Sequence, residues 1–90
     1  MPRYLIERTF PGGLAVPTTD EGAEGLARIV DVNAGRGVTW LHSYVSPDKT
    51  RTYCLYDAPT ADAIREAAGL NRLPVGCITE VSVLDPYRYR

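Results

Sequence analysis

Apolar and polar positions alternate almost from the start of the chain. Residues 3–9, Arg-Tyr-Leu-Ile-Glu-Arg-Thr, keep a loose period of two and predict a first strand. Phe10-Pro11-Gly12-Gly13 should end it, because proline lacks an N–H and glycine permits turn geometry. The period then changes. Ala23, Leu26, Ile29, Val30 and Asn33 recur at helical spacing, which predicts an amphipathic helix over 19–33. Thr18 and Glu21 are placed to form its capping box, and Gly35 and Gly37 to stop it. Gly22 and Gly25 weaken such a helix by about 1 kcal/mol each, so packing must hold it.

Residues 38–45, Val-Thr-Trp-Leu-His-Ser-Tyr-Val, are rich in aromatic and β-branched types and predict a second strand. Ser46-Pro47-Asp48-Lys49 carries turn chemistry, and residues 50–57 return as a third strand. Pro59-Thr60 opens a second helix, with Asp62 at the positive end of its dipole and Ile64, Ala67, Ala68 and Leu70 as its apolar stripe. Residues 77–84 predict a fourth strand. The tail Asp85-Pro86-Tyr87-Arg88-Tyr89-Arg90 is expected to add an edge strand or reach a partner subunit. The order β-α-β-β-α-β predicts an α+β, ferredoxin-like sandwich: an antiparallel sheet with two helices on one face and the other face open.

Composition narrows this picture. Ninety residues fit one domain spanning the whole chain, with a thin core. Apolar content of 44% and charged content of 23% predict a folded chain, not a disordered one. A formal charge of −1 with dispersed Lys and Arg gives no footprint for nucleic acid and no pull toward an anionic membrane. No apolar run approaches the roughly 20 residues of a membrane span, and no signal-type stretch follows Met1. Two cysteines without a leader predict free thiols and a cytoplasmic setting.

Strand alternation sorts the candidate chemistry. Ile6, Leu41, Val45, Leu55, Val81 and Val83 are expected to face the helices. Glu7, Trp40, His42, Tyr44, Cys54, Tyr56 and Glu80 then share the open face. Imidazole, thiol and two carboxylates suit late first-row divalent ions, so His42, Cys54, Glu7 and Glu80 form the candidate metal set. Trp40, Tyr44 and Tyr56 could equally wall a small-molecule pocket or form the core of a homodimer interface. No CxxC, HxxxH, HExxH or phosphate-binding loop is present, and no catalytic residue is assigned.

Several segments resemble the actinobacterial DUF4242 family. They are the opening Met1-Pro2-Arg3-Tyr4-Leu5-Ile6-Glu7-Arg8-Thr9-Phe10, residues 37–46 (Gly-Val-Thr-Trp-Leu-His-Ser-Tyr-Val-Ser), and Cys54-Leu55-Tyr56-Asp57-Ala58-Pro59. Ile78-Thr79-Glu80-Val81 and Val83-Leu84-Asp85-Pro86-Tyr87 extend the likeness over nearly the whole chain. The resemblance implies a small ferredoxin-like homodimer and a bound nickel ion, since a Streptomyces member is described as a nickel-binding protein for sequestration or detoxification. The resulting expectation is a cytoplasmic nickel-binding dimer without an organic cofactor or turnover of its own. Its alternative is a small-organic-ligand binder or cofactor-free enzyme with an aromatic-lined cavity.

Overall fold

The computed structural model describes residues 1–15 and 19–88. Its elements are β1 (Arg3–Thr9), α1 (Asp20–Ala34), β2 (Thr39–Val45), β3 (Arg51–Asp57), α2 (Ala61–Asn71) and β4 (Cys77–Val81). The four strands form one antiparallel sheet in the order β2-β3-β1-β4, which places β1 and β3 centrally as the ferredoxin-like topology requires. The fourth strand ends at Val81, earlier than alternation predicts, and no strand follows it among residues 82–88. The rest of the predicted tail element, Tyr89 and Arg90, lies outside the described residues.

Local chemistry accounts for the boundaries. Asp48 closes the β2–β3 hairpin by accepting from Ser46 Oγ at 2.7 Å, Thr50 Oγ1 at 2.8 Å and the Thr50 backbone N–H at 3.0 Å. Helix α2 starts at Thr60, whose hydroxyl accepts from the Ala63 N–H at 3.1 Å. Helix α1 has no such cap: its N-cap is Thr19, with no side-chain bond to the helix, and the predicted cap Thr18 lies outside the described residues. Asp20 and Glu21 still complement the dipole there.

The core sits between the sheet and the helices. Tyr4, Ile6, Cys54 and Tyr56 from the central strands pack with Val38, Ala58, Ile64 and Ala67. Helix α2 buries Ile64, Ala67 and Ala68, while its predicted stripe residue Leu70 is exposed. Helix α1 buries only Gly22 and Asn33; Leu26 and Val30 of its apolar stripe remain substantially exposed. That helix therefore stands off the sheet. Beneath it lies a space that the core side chains do not fill.

Candidate functional site

The ladder registers decide which side chains meet. Residues directly opposite in an antiparallel pair point to the same face. Ile6 opposes Cys54, Tyr4 opposes Tyr56, and Arg8 opposes Thr52. All six are buried, so this is the helix-facing side of the sheet. On β2 the register shifts between Trp40 and His42, so that Trp40 opposes Tyr56 while His42 opposes Leu55. A bulge adds one residue and reverses the parity beyond it. Trp40 consequently belongs to the helix side, stacked on Tyr56 at 6.5 Å between centroids, and His42 and Tyr44 belong to the open face.

This corrects the expected open-face cluster. Glu7, His42 and Tyr44 lie on the open face as predicted. Cys54, Tyr56 and Trp40 lie on the other side, and Glu80, opposite Tyr4, takes that side by register although it is exposed. Leu55 and Val81 exchange sides in the opposite sense, since they align with Leu5 and Arg3 on the open face. The four candidate ligands His42, Cys54, Glu7 and Glu80 therefore do not converge. No group of three or more His, Cys, Asp or Glu side chains comes together among the described residues.

Two arrangements replace the expected one. On the open face, Glu7 lies directly opposite Cys77, a free and exposed thiol. His42 stands exposed two strands away, with its ring edge-on to Tyr44 at 5.2 Å. Alternation in β4 pairs Cys77 with Thr79 and Val81; the register to β1, which a single strand cannot reveal, sets it beside Glu7.

The second arrangement is a cavity of about 320 Å³ under α1. Leu26 and Ile29 of α1 roof it, Phe10 and Leu14 close one side, and Trp40, Cys54, Thr52 and Tyr56 belong to its sheet wall. Among the described residues one cation lines it. Arg8 is only 4% exposed, and its Nε–H has no acceptor among the described residues. The guanidinium carbon rests 5.7 Å from the centroid of the Tyr56 ring. The Nδ2 of buried Asn33 is likewise without an acceptor, while its Oδ1 accepts from Asn71 Nδ2 at 3.1 Å. Burial pushes the Tyr56 phenol up, against the opposing pull of the nearby Arg8 charge. Arg8 shares parity with Tyr4 and Ile6, so its inward direction was legible in β1; its lack of a partner was not.

No match was found among curated proteins. The fold aligns with the crystal structure of SCO4226 from Streptomyces coelicolor A3(2), with a TM-score of 0.71 over 92% of this chain and 99% of that one, at 18% identity. The likeness establishes a shared fold. The family model described as "Nickel responsive protein SCO4226-like" matches residues 4–81, and the chain belongs to that family.

Proposed function

We propose that the protein binds Ni²⁺ on the open face of its sheet, with the ion held between two copies of the chain and no reaction of its own. The observation that carries this reading is the β1–β4 register, which sets Glu7 beside the exposed Cys77 on the face that also presents His42. Thiolate, imidazole and carboxylate donors suit Ni²⁺ better than Mg²⁺ or Ca²⁺. Membership of a nickel responsive family supports the choice of ion.

Among the described residues one chain alone does not furnish a full ligand set there, because the adjacent donors are only two. A twofold contact repeats the same patch on both subunits and doubles the donors. Half-buried Leu5, Tyr53 and Leu55 lie on the same face and give that contact apolar surface to close. Both cysteines are free, which fits a reducing compartment.

Calorimetric titration of tag-free, chelator-stripped protein with Ni²⁺, read together with light scattering, tests the reading. Saturable uptake accompanied by dimer formation is expected, weakened about tenfold in Cys77→Ser and Glu7→Gln and unchanged in Cys54→Ala. No saturable uptake, or the same affinity in Cys77→Ser, Glu7→Gln and His42→Ala, removes it.

A further inference from the structure

The cavity under α1 is separate from the open face, and its chemistry points elsewhere. Its walls are mostly apolar, and among the described residues its one charged lining group is the Arg8 guanidinium. Folded proteins seldom leave a buried donor without an acceptor. Here the orphaned atoms at Arg8 and Asn33 are both N–H donors, so the interior lacks acceptors rather than donors. Among the described residues the ion pairs are Arg3–Asp57 and Arg65–Asp62, and neither involves Arg8. The face of Tyr56 offsets part of the buried charge without supplying an acceptor.

We propose that this cavity is a binding site for a small organic monocarboxylate, whose anionic group pairs with the Arg8 guanidinium while its flat apolar body lies between Trp40 and the roof of Leu26 and Ile29. The guanidinium fork matches a carboxylate in two parallel hydrogen bonds. A volume of about 320 Å³ lies near the lower end of the range for ligand pockets, roughly 300–1,000 Å³, which sets the ligand's size as small. A single cation among apolar walls favours a monoanion with a hydrophobic body over a phosphate, which would need further charge or a row of backbone N–H groups. Helix α1, which buries only Gly22 and Asn33, forms the roof over it.

The chain's single tryptophan, Trp40, lines the cavity and reports on it directly. Its fluorescence is titrated in the full, untagged chain with benzoate and hexanoate as carboxylate probes and benzyl alcohol as the neutral ring. A chelator is present throughout, so the result is separate from the metal reading. Saturation by benzoate or hexanoate at or below millimolar concentration is expected, with benzyl alcohol about tenfold or more weaker. Arg8→Met should abolish that preference, and Arg8→Lys should weaken binding while keeping it. Equal response to benzoate and benzyl alcohol, or no saturation with either carboxylate, overturns the proposal. These comparisons need only the wild-type chain, so they decide it even where an Arg8 variant fails to fold.

Discussion

The Arg8 guanidinium lies over the Tyr56 ring, 5.7 Å from its centroid, so that a buried cation rests on a buried phenol. Burial holds the phenol above its usual range, and Arg8 draws it back only in part. A folded-state value above the unfolded one means that the native state keeps its proton longer. The associated stability is complete below the unfolded value and is lost as pH rises through the folded value. Stability measured by urea unfolding should therefore fall above about pH 10, the ordinary tyrosine value. In Tyr56→Phe this alkaline slope should flatten; a slope identical to the wild type would show that Tyr56 is not its source.

At the other end of the pH scale the hairpin turn is the sensitive element. The Thr50 backbone N–H, then the Ser46 and Thr50 hydroxyls, lower the Asp48 carboxyl from 3.8 to about 2. A depressed folded value contributes stability above pH 3.8 that is lost as pH falls toward 2. Asp48→Ala should be less stable than the wild type at neutral pH, and the gap should close over that interval. Acid titrations by circular dichroism at fixed urea measure it. A gap of constant size would mean that the turn's hydrogen bonds do not depend on the carboxylate charge.

Two glycines should respond with opposite signs to the same substitution. A Cβ on Gly76 would stand 2.9 Å from the Glu7 carbonyl oxygen, at the point where β4 docks on β1. Backbone on both sides leaves little room to yield, so Gly76→Ala should cost about 1–3 kcal/mol. Gly69, inside α2, meets nothing within 4 Å, and Gly69→Ala should gain about 0.5–1 kcal/mol. Urea midpoints of the two variants check both values. A neutral Gly76→Ala would show that the β4 edge shifts freely, which would also loosen the Glu7–Cys77 pairing.

Element order and the hairpin were legible because turn chemistry and alternation agree there: Ser46, Pro47 and Asp48 specify the turn that the Asp48 bonds close. Side-chain direction was not legible in β2 and β3. Thr52, Cys54 and Tyr56 are no more apolar than Tyr53 and Leu55, so a central strand apolar on both faces does not announce which side meets the helices. On β2 the shift between Trp40 and His42 separates an aromatic and an imidazole that a strict period of two would place together. The candidate metal set failed for that reason. Its Glu7 and His42 were placed correctly, but Cys77, which the sequence does not favour over Cys54, proved to be the thiol on their face.

Helix α1 should be the first element to open. It has no side-chain N-cap, carries Gly22 and Gly25, and buries only Gly22 and Asn33. Helix α2 has the Thr60 cap and buries Ile64, Ala67 and Ala68. Local opening is governed by such differences in packing, and about 1.4 kcal/mol corresponds to a tenfold change in protection. Native-state amide exchange should therefore show α1 protected at least about tenfold less than α2 and the central strands. Saturation with benzoate should narrow that difference, because a ligand lodged under Leu26 and Ile29 must be released before the roof can open freely. Equal protection of the two helices without ligand would mean that α1 is held by contacts stronger than its burial indicates, and the cavity would then have a fixed roof rather than one that opens.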